Sequence, residues 1–275
     1  MMKKNLFMLS LIMLLSCTNA KAQAFTYPLG ARAIGMGHNS LVLKDSWATF
    51  NNQAAAAFLS GIHAGVFMEN RFLLDELNRI ALGVSFPVKK GSLFVNADHF
   101  GGTLYSELKA GAGYAMHFGE HFAAGLQLDY LRIAISEGYG NHHAFTFEGG
   151  IHVSITEKLS LGFHIFNPLH VRWSGSSSEH IPVRMRAGLG FKPEASLTIC
   201  AEIMKSTVDA AIISAGCEYR YQSRFFIRAG ITSGPARYTF GAGFRLKKLV
   251  IDIASSMHSY LGYSPQLSFT YSFEK

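Results

Sequence analysis

The 275-residue sequence predicts an all-β fold: a transmembrane antiparallel β-barrel of about fourteen strands with an N-terminal plug or hatch segment. Three observations predict it. Apolar residues alternate with small or polar ones through segment after segment. The connections between these segments alternate between short and long. Beyond the first 22 residues no stretch reads as a membrane-spanning helix, although 49% of the chain is hydrophobic and only 16% is charged.

The chain opens on an export signal. Lys3 and Lys4 form a basic start, Leu6 to Leu15 an apolar stretch, and Ala20-Lys21-Ala22 a cleavage site of the A-x-A type. The apolar stretch is far short of the roughly 20 residues a spanning helix needs. Residues 1–22 are therefore read as a signal peptide. Leu14-Leu15-Ser16-Cys17 leaves open a second route, lipidation at Cys17. Without residues 1–22, which hold Lys3, Lys4 and Lys21 and no acid, the formal charge falls from +7 to +4. There is no Lys/Arg-rich run, which argues against nucleic acid as a partner.

From residue 61 the dyad pattern is continuous. Segments fall near 61–70, 77–87, 92–100, 106–118, 121–133, 144–155 and 158–166, and then near 181–192, 195–204, 209–220, 223–232, 236–246, 248–257 and 265–274. In one of them Ile80, Leu82, Val84 and Phe86 oppose Arg79, Ala81, Gly83 and Ser85. In another Tyr238, Phe240, Ala242 and Phe244 oppose Arg237, Thr239, Gly241 and Gly243. Every second connection is short, as at Gly119-Glu120, Thr156-Glu157, Pro193-Glu194 and Lys247, whereas 134–143 and 167–180 are long. Short periplasmic turns and long outer loops are the habit of outer-membrane barrels, and an even strand count puts both chain ends in the periplasm. Aromatics at segment ends, among them Phe118, Phe122, Tyr130, Phe191, Tyr219, Phe225, Tyr271 and Phe273, suit interfacial girdles. The predicted location is the outer membrane, with its lipid as the first partner.

Alternation also assigns a charged interior. Arg79, Asp98, Lys109, Asp129, Glu148, Arg184, Arg186, Glu202, Glu218, Arg228, Arg245 and Asp252 all fall on the non-apolar face, interleaved with glycine. The signs balance, which predicts a charge-paired lumen rather than an open pore. A soluble sandwich would present that face to water, where glycine is less usual. Cys200 falls toward the lumen and Cys217 toward lipid, so no disulfide is expected. Residues 23–60 lack the dyad pattern. They are expected to enter from the periplasmic side and fold inward as the hatch, leaving 61–275 as the barrel.

Motifs for chemistry are missing. No phosphate loop, no G-x-S-x-G element and no zinc-type cluster occurs among the cysteines and the twelve histidines. No cofactor, metal or catalytic set is predicted, and the chain is read as a non-enzyme.

Leu29-Gly30-Ala31-Arg32-Ala33-Ile34-Gly35-Met36-Gly37, followed by Trp47-Ala48-Thr49-Phe50-Asn51-Asn52-Gln53-Ala54, resembles the N-terminal signature of the FadL-like barrels of Bacteroidota, the PorV/PorQ group. Within it Gly30, Arg32, Gly35, Met36, Gly37, Trp47, Asn51 and Asn52 carry the motif; Gln53 stands where the group has proline, and Ala55 where glycine is usual. The resemblance implies a fourteen-stranded barrel with an N-terminal hatch. It also implies a non-enzymatic component of a type IX-like secretion machine, with other outer-membrane or secretion proteins as partners. The alternative is a FadL-like passive transporter of small hydrophobic compounds. For the first function the loop with Asn167, Pro168 and Trp173 is a candidate docking element.

Overall fold

The computed structural model describes residues 28–136, 140–175 and 179–273. The expected signal peptide with Cys17, and residues 23–27, lie outside them. Fourteen strands form one closed antiparallel barrel in which each pairs with its sequence neighbours. In order they are β1 (His63–Asn70), β2 (Asn78–Val88), β3 (Gly91–Gly101), β4 (Tyr105–Phe118), β5 (Phe122–Ile135), β6 (Gly140–Ser154) and β7 (Leu159–Phe166). The second half comprises β8 (Arg184–Glu194), β9 (Leu197–Ser206), β10 (Ile212–Tyr221), β11 (Phe225–Thr232), β12 (Arg237–Leu246), β13 (Leu249–His258) and β14 (Gly262–Ser272). The ring closes where β1 meets β14, from His63 opposite Ser272 to Glu69 opposite Gln266. Closure leaves no edge strand, which is the condition for a sheet to span lipid.

The two faces separate as the dyad pattern predicts. On β2, Ile80 and Leu82 are half exposed while Arg79 and Ala81 are buried, at 4% and 0%. The same outward set continues around the wall in Leu126, Leu128, Phe145, Ile227, Phe240 and Ile253. A soluble protein rarely exposes so wide an apolar band, and a lipid-facing wall requires it. Cys200 is buried inward and Cys217 exposed outward, so the two thiols point away from each other.

The two ends of the barrel differ. At one end the strands are joined by tight links such as Lys89-Lys90, Ala195-Ser196 and Lys247-Lys248. At the other lie the longer connections, including 167–183. Exposed aromatics ring the short-turn end, with Phe118, Phe122, Phe191, Tyr219, Tyr221, Phe225, Tyr271 and Phe273. Tyr130 stands apart from that girdle, stacked on His143 at 5.8 Å between ring centroids.

Before the first strand come a short helix α1 (Ala31–Gly35), a single-turn helix α2 (Ala48–Asn51) and a 3-10 helix over Gln53–Phe58. Nearly every residue from Leu29 to Ala57 is buried. Helix α1 packs on β11 to β14, and the 3-10 helix on β3 to β6, so the segment reaches across the lumen. Trp47 anchors it, 2% exposed, with its ring against Phe67 and Phe50. Gly30, at φ 96°, turns the chain beneath that ring, and a Cβ there would sit 2.5 Å from it.

Candidate functional site

The closed wall encloses a lumen, and the charged residues face it because alternate positions on a strand must. Besides the Arg71–Glu69 pair at 3.2 Å, four groups of charges form among the described residues. Arg79 on β2 donates from Nε to Asp98 on β3 at 2.7 Å, and its Nη2 makes a second, short contact. Lys109 on β4 lies 2.8 Å from Glu148 and 3.6 Å from Asp129, and His164 approaches Glu148 at 3.3 Å. Gln127 donates to both carboxylates, at 2.6 Å and 2.8 Å.

The other two groups bind the N-terminal segment to the wall. Glu202 on β9 accepts from Arg186 at 2.7 Å, from the backbone N–H of Leu41 at 2.6 Å and from that of Ser40. Arg32 on α1 makes a forked pair with Glu218 on β10, at 2.9 and 2.6 Å, and reaches Asp45 at 3.1 Å. Glu218 is shared with Arg228 on β11 at 2.6 Å, and Arg228 extends the chain to Asp252 on β13 at 2.8 Å. Ions held out of water need such partners, since an unpaired buried charge is costly.

Of the twelve lumenal positions predicted from alternation, ten lie in these groups. Arg184 lies over the Phe166 ring at 6.0 Å, and Arg245 over Phe226 at 5.5 Å near the short-turn end. Sequence reasoning did not foresee Arg32, Asp45, Gln53, Gln127 or His164 as members. Dyad phase marks Gln127 and His164 as inward, but the first three lie before β1, where no strand alternation assigns a face.

The motif residues at the N-terminus have separate tasks. Asn51 accepts from Leu29 N–H at 2.9 Å and donates to Leu29 O at 2.8 Å, closing the segment on itself. Asn52 donates to Leu41 O at 2.6 Å and to Ile151 O on β6 at 3.1 Å. Met36 is fully buried. Gly35 and Gly37 lie flat on the wall: a Cβ on Gly216 would meet Met36 O at 2.0 Å, and one on Gly230 would meet Gly37 N at 2.1 Å. Thr239 and Thr232 hydroxyls bond the backbone here, at 2.9 Å to Gly37 N and 2.8 Å to Gly37 O.

The loop after β7 turns inward. Asn167, at φ 53°, accepts from Thr146 at 2.8 Å and donates to Ile181 O at 2.7 Å. That clamp folds the chain after Pro168 over the lumen, where Trp173 is buried among Leu131, Ala144, Phe166 and Ile181. The indole is thus spent on closing the mouth, and the exposed apolar side chain of this loop is Leu169.

Space remains on both sides of the N-terminal segment. A cavity of 740 Å³ at the long-loop end is lined by Leu77, Phe100, Tyr105, Met204, Ile212 and Pro235, with Arg71, Glu107 and Arg237 among its charges. A cavity of 410 Å³ at the short-turn end is lined by Trp47, Phe226 and Val250 together with several cations. Pro28 and His38 border the first, and Arg32, Asp45 and Trp47 the second. The segment therefore stands between them. A third space of 40 Å³ amid Arg79, Lys109, Glu148 and Arg184 has room for little beyond water.

No family model and no curated protein sequence matches the chain. Solved structures do. The CymD monoaromatic hydrocarbon channel superposes with a TM-score of 0.68 at 14% identity, covering 92% of this chain and 100% of that one. A FadL homologue from Pseudomonas aeruginosa gives 0.70 at 12% identity over 92% and 100%. A deltaS2 mutant of the TodX monoaromatic hydrocarbon channel gives 0.76 at 11% identity over 90% and 99%. At these identities the likeness defines the fold: a closed fourteen-stranded barrel of the FadL type.

Proposed function

We propose that the protein is an outer-membrane barrel that passes small hydrophobic compounds by passive transport, with residues 23–60 as the hatch and both chain ends in the periplasm. The observation that carries this reading is the 740 Å³ cavity at the long-loop end. Its size suits a ligand pocket, which typically spans about 300–1,000 Å³. It gathers apolar and aromatic side chains in a lumen otherwise given to paired charges. The structures of like fold that are described as monoaromatic hydrocarbon channels support the same reading and make small aromatics the first candidates. The PorV/PorQ likeness rests on sequence motifs, the N-terminal run together with Phe166-Asn167-Pro168 and the ending Ser264–Phe273, and a role in type IX secretion draws no support from the structural neighbours.

The test is uptake by asymmetric proteoliposomes whose outer leaflet is lipopolysaccharide, a barrier that retards hydrocarbons, with the purified barrel in the membrane. Toluene should partition into a trapped aqueous reporter faster than in empty liposomes, while arabinose should not. Fast arabinose flux would make the protein a general pore. Toluene flux equal to that of empty liposomes would remove the transport reading altogether.

A further inference from the structure

We infer that the cavity at the short-turn end is an anion-binding site that takes a phosphate or carboxylate group borne on an apolar body. Five cations and three carboxylates line it. The carboxylates Asp45, Glu218 and Asp252 are already engaged by Arg32 and Arg228 on the floor of the cavity. Lys192, Arg220 and Arg245 are the remaining three cations. No ion pair among the described residues includes them. Arg220 uses one donor on Ala195 O at 2.6 Å, which leaves most of its guanidinium edge for another acceptor. Arg245 lies over the Phe226 ring at 5.5 Å, and Arg228 stands 5.3 Å from the same ring. Cationic donors thus stand beside Phe226, Trp47 and Val250, and an amphipathic anion satisfies both kinds of surface.

The surroundings point the same way. The turns at this end carry Lys89, Lys90, Lys158, Arg224 and Lys247, all exposed, against Glu120, Glu157 and Glu194. The long-loop end shows no such excess: Asp75, Glu76, Glu179 and Asp209 face Arg132, Arg172 and Lys205. A concave mouth with an excess of one sign of charge concentrates the opposite ion. The aromatic girdle at this end sets the mouth at headgroup depth. Two sources of the anion follow, a free organic anion leaving or waiting at the lumen, and the headgroup of a surrounding phospholipid.

The two tryptophans of the chain are Trp47 and Trp173, so Trp173→Phe leaves Trp47 fluorescence as a reporter inside the cavity. The full-length variant is titrated with benzoate and with inorganic phosphate in phosphatidylcholine nanodiscs, then compared with phosphatidylglycerol nanodiscs without added anion. A saturable response to the added salts identifies a free anion; a response confined to phosphatidylglycerol identifies the headgroup. Either supports the site provided that Lys192→Gln with Arg245→Gln weakens it by about tenfold or more and Arg132→Gln at the far end leaves it alone. Calorimetric titration of the unmodified protein with benzoate gives the same answer if Trp173→Phe folds poorly. Silence in every arm, or a response that the double variant keeps, overturns the inference. Hydrocarbon uptake is scored separately, so a barrel that carries toluene but binds no anion loses only this site.

Discussion

The N-terminal segment meets the barrel wall in two different ways. Against β10 to β12 its own backbone does the packing, with Gly35 and Gly37 laid on Gly216, Gly230 and Gly241 and bonded by threonine hydroxyls. Against β3 to β6 side-chain bonds join the backbone contact: Gln53 to Glu148 at 2.8 Å, Asn52 to Ile151 O, and Asn96 of the wall to Thr49 O at 2.7 Å, beside a backbone approach in which a Cβ on Gly125 would lie 2.6 Å from Gln53 C. Backbone cannot move aside for an added atom, whereas a side chain can take another rotamer. The first seat is the more rigid and the second the more adjustable, and the consequences of substitution should differ accordingly.

The largest effect belongs to the rigid seat. Gly230→Val adds a Cβ that would lie 2.1 Å from Gly37 N, so the segment must lift from the wall. Planar-bilayer recording should show a closed wild-type barrel and an ion-conducting variant. Ala242→Val, an outward position on the neighbouring strand β12, should stay closed. A variant as silent as the wild type would mean that the segment is not the barrier.

Next comes a contrast in charge. Glu148→Ala strips Lys109, His164, Gln53 and Gln127 of a shared acceptor and leaves Lys109 only Asp129 at 3.6 Å. Removing one side of a buried pair costs about 3–5 kcal/mol. Arg32→Ala leaves Glu218 with Arg228, and Asp45 still accepts from Trp47 N–H at 3.0 Å. That loss should come to about 1–2 kcal/mol, the scale of a replaceable hydrogen bond. Urea unfolding in lipid vesicles measures both, and equal losses would erase the distinction between a hub and a shared latch.

The wall was legible from sequence because period-2 alternation is local: each strand announces its own two faces, and lipid and lumen demand opposite chemistry. Cys200, Cys217 and the charges from Arg79 to Asp252 were all assignable on that basis. The interior of the segment was not. Arg32 and Glu218 lie 186 positions apart, and nothing in either neighbourhood names the other. The motif marked Asn52 but could not say why Gln53 stands where the group it resembles has proline. In the fold, that side chain donates to Glu148, a bond proline cannot make. Trp173 misled for a physical reason. A tryptophan in a polar loop reads as exposed, yet Asn167 turns the loop so that the indole fills the lumen mouth.

The smallest effect, and the most direct reading of both seats, is thiol access. Cys200 is buried against Ala33, Met36, Val42 and Leu43 of the segment, while Cys217 looks outward from β10. In vesicles, an apolar maleimide should modify Cys217 and a charged methanethiosulfonate should modify neither residue, since lipid covers one thiol and the N-terminal segment the other. Gly230→Val should change only the second result. Lifting Met36 and Gly37 from β10 and β11 opens the space beside Gly216, the cross-strand partner of Cys200, and the charged reagent should then reach Cys200. Glu148→Ala, acting on the opposite seat, should leave Cys200 protected even where it costs more stability than Arg32→Ala. Labelling of Cys200 in the Glu148 variant would show that the segment moves as one rigid body, and the two seats would lose their independence.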